Sequence, residues 1–170
     1  MDLAKTIRDI PDFPKEGILF KDITTLLKNP EALKESIQQM KKLCENQGIT
    51  KVCGAESRGF IFGVPLAIEI GAGFVPIRKP GKLPAETLSE EYVLEYGTDK
   101  IEIHKDAIEK GEKVLFVDDL LATGGTAEAS LKLLNKLEAD VVSCLFLIEL
   151  GFLNGREKLQ NCPVNSLVVY

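Results

Sequence analysis

The spacing of apolar and polar positions changes period several times along the chain, and each change marks an element. Asn29-Pro30 supplies a capping side chain followed by a proline whose missing N–H costs nothing at the first helical position. Leu33, Ile37, Met40 and Cys44 then recur on one face of a 3.6-residue period, and Gly48 ends the predicted helix. Lys51 to Ala55 reads as a short strand, and roughly Phe60 to Ile70 as a second, more apolar helix. Gly71-Ala72-Gly73 turns the chain into a strand from Phe74 to Arg78. Lys79 to Glu90 is polar, holds Pro80, Gly81 and Pro84, and reads as an exposed loop. Glu91 to Tyr96 and Ile101 to His104 alternate as two arms of a hairpin around Gly97-Thr98-Asp99, and Lys105 to Lys110 reads as a short helical turn. Val114-Leu115-Phe116-Val117 is apolar without a break, as a strand covered on both faces must be. A helix is predicted from about Thr126 to Glu138 with Leu131, Leu134 and Leu137 turned inward, then a strand from Val141 to Ile148.

Strand, helix, strand, helix, strand predicts an α/β fold: one domain over residues 1–170 with a mainly parallel, right-handedly wound sheet flanked by helices. No repeat, linker or low-complexity segment divides it. In such sheets ligands collect beyond the carboxyl ends of the central strands.

Composition narrows the partners. The 170 residues are 45% hydrophobic and 28% charged, enough apolar material for a sizeable core in one soluble domain. Twenty-six Asp and Glu against 21 Lys and Arg leave a net charge of −5, which argues against a general nucleic-acid or membrane-surface binder. Any anion site must therefore be local. Met1-Asp2-Leu3-Ala4-Lys5 lacks the apolar stretch of a signal peptide. The longest apolar run, Val141 to Ile148, is interrupted by Ser143 and is far short of the roughly 20 residues that span a bilayer. Cys44, Cys53, Cys144 and Cys162 form no CxxC and read as reduced cysteines of a cytoplasmic protein. The single histidine, His104, excludes a metal site that needs two.

The rule for open sheets points at Asp118-Asp119-Leu120-Leu121-Ala122-Thr123-Gly124-Gly125-Thr126. Two adjacent acids at the end of a buried strand are costly unless something uses their charge. Because neighbouring strand residues point to opposite faces, at most one is expected to be buried in the sheet while the other faces the crevice. Behind them a tight glycine turn enters a helix, where threonine hydroxyls and free N–H groups can receive a phosphate. Acids beside such a cradle suit a sugar phosphate: ribose hydroxyls on the acids, the 5′-phosphate in the loop. A capped turn alone would explain the loop but not the acids.

Two other motifs are near misses. Gly54 to Phe60 has the glycine spacing of a P-loop but carries Phe60 where the lysine belongs. Ala55-Glu56-Ser57-Arg58-Gly59 approaches a nucleophile elbow, yet lacks its first glycine and would have to pair Ser57 with His104. Arg78, Lys79 and Lys82 cluster three cations at the start of the polar loop, either as a solvated charge run or as an anion site.

Val114 to Thr126 resembles the ribose-phosphate-binding motif of the type I phosphoribosyltransferases. Five more segments match that family in order, over nearly the whole chain: Phe13 to Ile23, Glu56 to Phe60, Arg78 to Pro84, Leu94 to Gly97 and Gly155 to Leu159. One motif implies a phosphoribosyltransferase; the set implies one that acts on adenine. The resemblance implies transfer from 5-phosphoribosyl 1-pyrophosphate to adenine, giving AMP and pyrophosphate, with Mg²⁺, in purine salvage. It also implies a homodimer, a small hood over the base from about residues 1–25 and 150–170, and a flexible loop over about 79–97 that closes to exclude water. A catalytically silent sensor on the same fold, or a transferase for guanine, hypoxanthine or xanthine, are the alternatives. Such sensors usually carry a basic DNA-binding extension, and the first residues here are too few and too mixed in charge for one.

By the same resemblance Ala122, Thr123, Gly124, Gly125 and Thr126 hold the 5′-phosphate, while Asp118 and Asp119 orient the ribose and reach Mg²⁺ through water. Ser57, Arg58, Arg78, Lys79 and Lys82 hold pyrophosphate, and the peptide before Ser57 is expected to be cis. Glu95 assists proton removal from the base as N9 attacks C1′, with Tyr96 by the reacting ribose. Adenine is sandwiched between Phe20 and Leu120 or Leu150, with Leu19 to Lys21 reading its amino edge. Lys21 stands where the family often has arginine, keeping the charge but losing the planar fork.

Overall fold

A computed structural model describes residues 1–94 and 96–170. In chain order the regular elements are β1 (Arg8–Pro11), β2 (Leu19–Asp22), α1 (Thr24–Leu27), α2 (Pro30–Cys44), β3 (Lys51–Ala55), α3 (Arg58–Ile70), β4 (Gly73–Ile77), β5 (Thr87–Val93), β6 (Thr98–His104), β7 (Lys113–Leu121), α4 (Gly125–Lys136), β8 (Asp140–Glu149) and β9 (Val164–Val169). Five strands form one parallel sheet in the order β4-β3-β7-β8-β9. The expected α/β fold is present, with β7 in the middle.

Strand alternation splits the core in two. Leu115 and Val117 of β7 pack with Ile37 and Met40 of α2 and Phe62 and Leu66 of α3. Val114 and Phe116 point the other way, toward Leu133 and Leu134 of α4 and Ile101 and Ile103 of β6. The sheet is thus covered on both faces, which accounts for the unbroken apolar runs of its central strands. α2 begins as expected: Asn29 Oδ1 accepts from the N–H groups of Glu31 and Ala32 at 3.0 and 3.1 Å. It stops at Cys44 rather than running to Gly48, because Glu45 is already extended (ψ 153°).

Several boundaries differ from the sequence reading. β5 starts at Thr87, inside the stretch read as loop, and pairs antiparallel with β6 from Thr87–His104 to Val93–Thr98. The stretch Thr87 to Glu90 has only Leu88 to mark a core face, too weak a period to reveal a strand whose partner defines it. Lys105 to Lys110 forms hydrogen-bonded turns rather than helix. α4 ends at Lys136; Leu133 and Leu134 are buried, whereas Leu131 and Leu137 are only partly so. Two further strands, β1 and β2, make an antiparallel hairpin at the amino end. After β8 the chain makes two short 3₁₀ turns, Gly151–Leu153 and Gly155–Leu159, before β9 joins the sheet edge.

All four cysteines are free thiols, with Cys144 Sγ 3.6 Å from Cys162 Sγ. Among the described residues no helix is long and apolar enough to cross a membrane.

Candidate active site

Two cavities open at the carboxyl ends of the parallel strands, one polar of about 600 Å³ and one apolar of about 620 Å³. They share a wall made by Arg58, Asp119 and Leu120.

The polar cavity collects three chain segments. From β7 come Asp118 and Asp119, which lie within the strand, since β7 runs on to Leu121 rather than stopping at Val117. Asp119 is buried, and its Oδ2 accepts from Arg58 Nε at 2.5 Å. Asp118 Oδ1 accepts from the backbone N–H of Asp119 at 2.9 Å. Burial, reinforced by the negative charge of Asp119, pushes the Asp118 carboxyl well above the usual carboxylate range. Both acids border the polar cavity, rather than one lying in the sheet and the other in the crevice as expected, and Asp119 also reaches the apolar cavity.

The turn after β7 wraps through Gly124 in the left-handed region (φ +87°) into α4. A glycine at the cap position offers no side-chain acceptor to the first N–H groups of α4, and Gly125, Thr126 and Ala127 line the cavity. Ala122 and Thr123 complete that wall.

The second segment joins β3 to α3. The Glu56–Ser57 peptide is cis, and Ser57 and Arg58 line the cavity. α3 approaches β7 closely here: a Cβ on Gly59 would lie 3.0 Å from Val117 O and 3.1 Å from Asp118 Oδ1.

The third segment is the β5–β6 hairpin with Lys79. Lys79 Nζ bonds to Tyr92 Oη at 2.9 Å and forms an ion pair with Asp99. Burial works against the Lys79 ammonium, but the bonds to Asp99 and Tyr92 outweigh it and hold its pKa up. Arg78 and Lys82 lie outside both cavity linings. Arg78 Nε donates to Glu56 Oε2 at 2.8 Å, and its backbone is bridged to Glu102. Lys82 is exposed. Tyr96 is exposed at 83% and lines neither cavity. Glu95 lies outside the described residues.

The apolar cavity is roofed by the β1–β2 hairpin. Leu19, Phe20, Lys21, Leu120 and Leu150 all line it. The Phe20 ring meets Phe13 edge-on, 5.1 Å between centroids at 74°. Lys21 Nζ is engaged with Asp9 Oδ1 at 2.7 Å and stands 3.6 Å over the Tyr170 ring, tying the hairpin to the carboxyl terminus.

A family model described as "Phosphoribosyl transferase domain" matches residues 22–165. Over the full length of both chains this protein is 58% identical to the adenine phosphoribosyltransferase of Acetivibrio thermocellus and 60% identical to that of Acaryochloris marina. Its fold superposes on the crystal structure of adenine phosphoribosyltransferase from Thermoanaerobacter pseudethanolicus with a TM-score of 0.95, at 55% identity, covering 99% of this chain and 98% of that one. The chain belongs to the adenine phosphoribosyltransferase family.

Another structure of that family, from Saccharomyces cerevisiae, was solved with D-2,5-dideoxy-2,5-imino-altritol 1,6-bisphosphate and adenine; it has a TM-score of 0.92 and 44% identity, covering 97% of this chain and 96% of that one. The Ser57 and His104 pair that a hydrolase would need does not share a cavity. His104 Nε2 accepts from the Ala85 N–H at 3.2 Å, on the hairpin and outside the cavity that Ser57 lines. Sequence reasoning missed Ile10, Phe13, Ile18 and Ile148 as lining of the apolar cavity. Phe13 and Ile18 fall in a segment that resembles the family as a block, which says nothing about which side chains turn inward. Ile148 was readable only as strand.

Proposed function

We propose that the chain transfers the 5-phosphoribosyl group from 5-phosphoribosyl 1-pyrophosphate to N9 of adenine, releasing AMP and pyrophosphate. The observation that carries this is the shared wall: a polar, phosphate-suited cavity adjoins an apolar, ring-suited one through Arg58, Asp119 and Leu120. A glycosyl transfer needs this adjacency, because C1′ must sit where sugar phosphate and base meet.

On this reading the Ala122–Thr126 turn and the start of α4 bind the 5′-phosphate, with N–H groups and the helix dipole meeting its charge. Asp118 and Asp119 accept from the ribose hydroxyls. Ser57, Arg58 and Lys79 receive the pyrophosphate, with Arg78 and Lys82 held in reserve on the loop. Phe20 and Leu120 flank the adenine ring. Glu95 takes the proton from the base, and Tyr96 covers the ribose once the loop closes. The segments of about residues 1–25 and 150–170 form the hood over the base. Pyrophosphate leaves in a dissociative displacement with no covalent enzyme intermediate, so the rate gain comes from positioning and electrostatics. Excluding water protects the ribosyl cation-like transition state from hydrolysis.

Mg²⁺ fits the donor set. Among the described residues no cluster of three His, Cys, Asp or Glu could cage an ion. Asp118, however, is burdened by burial and by Asp119, and a dication relieves both. Mg²⁺ characteristically takes one or two carboxylates with substrate phosphates and waters. Asp118 and Asp119 would hold it through water, and when bound it neutralises charge on the departing pyrophosphate.

Ile61, Val64 and Ile68 form an exposed apolar stripe on α3, which supports pairing of two copies as a homodimer. A cytoplasmic location accords with four free thiols.

The test is AMP formation by the purified protein from adenine, 5-phosphoribosyl 1-pyrophosphate and Mg²⁺, with guanine, hypoxanthine and xanthine as competing bases. AMP alone is expected. Product from another base, or none, overturns the reading.

A further inference from the structure

The segment Gly155 to Leu159 lines neither cavity, yet it touches the phosphate loop directly. A Cβ on Gly155 would lie 2.4 Å from Ala122 O and 3.0 Å from Leu121 Cδ1. A Cβ on Gly124 would lie 2.6 Å from Gly155 O. The two backbones are therefore in contact, and only glycine fits on either side.

What holds Gly155 there is its neighbour. Arg156 donates to Glu149 from Nε (2.5 Å) and Nη2 (2.6 Å), a two-pronged pair, and from Nη1 to Val164 O at 2.7 Å. Ser166 Oγ gives Glu149 Oε2 a further bond at 2.7 Å. Glu149 is buried at the end of β8, in register with Leu121, the residue at which the phosphate loop begins. The Arg156 bonds hold the Glu149 carboxyl below its ordinary range. Leu159 anchors the far end of the turn in the α4-side core.

We infer that Glu149 and Arg156 are positioning residues that clamp Gly155 beneath the phosphate loop and so set the shape in which Ala122 to Gly125 receive the 5′-phosphate. The inference rests on the reading of that loop as the 5′-phosphate site. The clamp touches no substrate. It transmits its geometry through one backbone contact, and a shift of an ångström there is felt by every N–H aimed at the phosphate.

The experiment compares the wild type with Arg156→Lys, Gly155→Ala and the double variant Glu149→Gln/Arg156→Gln. Arg156→Gln alone would strand a buried carboxylate, so the double variant, which buries no unpaired charge, carries the test. The readouts are KM for each substrate, affinity for AMP and for pyrophosphate by calorimetry, and melting temperature. The double variant and Gly155→Ala are expected to raise KM for 5-phosphoribosyl 1-pyrophosphate and weaken AMP on the order of 10- to 100-fold, the scale of a 1 Å misplacement. KM for adenine and affinity for pyrophosphate should stay at wild-type values. Arg156→Lys keeps the charge without the fork and should fall between. Wild-type protein that neither forms nor binds AMP would overturn the functional reading itself. An active wild type whose double variant and Arg156→Lys keep wild-type AMP affinity overturns the clamp, whatever their melting temperatures. Equal weakening of AMP, adenine and pyrophosphate does so too, by making the pair merely structural.

Discussion

Arg58 Nε donates to Asp119 Oδ2 at 2.5 Å, and both residues border both cavities. One end of the pair is buried and the other half exposed, so the guanidinium can turn toward an arriving anion while the carboxylate stays. Two more ion pairs reach the polar cavity through one partner each, Lys79 with Asp99 and Arg78 with Glu56. Without substrate, each of these cations is met by a carboxylate. Pyrophosphate binding on this reading turns such a cation from a carboxylate that stays in place to the incoming anion.

Asp119→Asn tests this. The amide keeps the shape but gives Arg58 no opposite charge and the ribose a weaker acceptor. Turnover should drop on the order of 100-fold, the cost of losing orientation at the reacting centre, with the fold intact by circular dichroism. Undiminished kcat would remove Asp119 from the site.

Asp118→Asn separates function from stability. Burial and the Asp119 charge raise the Asp118 pKa above its ordinary 3.8, so the native state binds this proton more tightly than the unfolded chain does. Stability is then lost as pH rises from 3.8 through the raised value. The variant escapes that loss. Its denaturation midpoint should exceed that of the wild type near neutrality, with the gap closing toward pH 4, while its activity falls. A variant less stable than wild type at pH 7 would contradict this account.

Phe20→Ala removes the ring that walls the apolar cavity and meets Phe13. Loss of stacking on a base costs about 1–3 kcal/mol, roughly 5- to 150-fold, and should fall on KM for adenine alone. An equal rise in both substrate KM values would place Phe20 in general packing instead.

Lys79→Met and Lys82→Met should differ. Lys79 lines the polar cavity, and Lys82 is exposed outside it. Pyrophosphate affinity, measured by calorimetry, is expected to fall at least several-fold more for Lys79→Met. Equal losses would indicate that the loop closes far enough to bring Lys82 in.

Thiol chemistry reports the core. Burial pushes the Cys44 thiol up to about 11 and the Cys53 thiol well beyond the usual range, and contact with Cys162 together with burial raises Cys144. Cys162, less buried, has its pKa lowered by the same contact. An aromatic disulfide reagent should label one thiol quickly in the native protein and four after denaturation. Rapid labelling of more than one native thiol would show that the core opens.

Legibility in the sequence followed the range of the forces involved. Asp118 to Thr126 could be read as a site because strand, acids, glycine turn and helix start are consecutive, so local chemistry alone implies a phosphate cradle. Phe20 and Leu120 were named as pocket residues only by resemblance, since no period separates a cavity-lining phenylalanine from a core one. β5 was half lost because its strand character comes from pairing with β6, eleven or more residues away at its far end. Gly155 was named only as the start of a segment that resembles the family, and nothing local to it shows that it lies against Gly124.

The successions α2-β3-α3-β4 and β7-α4-β8, the apolar run of the central strand and the glycine turn after β7 were determined by the sequence itself, because each depends on residues within a few positions of one another. Tertiary structure decided which cations meet which carboxylates, which loop segments line a cavity, and that Gly155 lies against Gly124. Those contacts join residues far apart in the chain, and side-chain pairing and backbone clearance between them come into being only when the sheet sets its strands side by side.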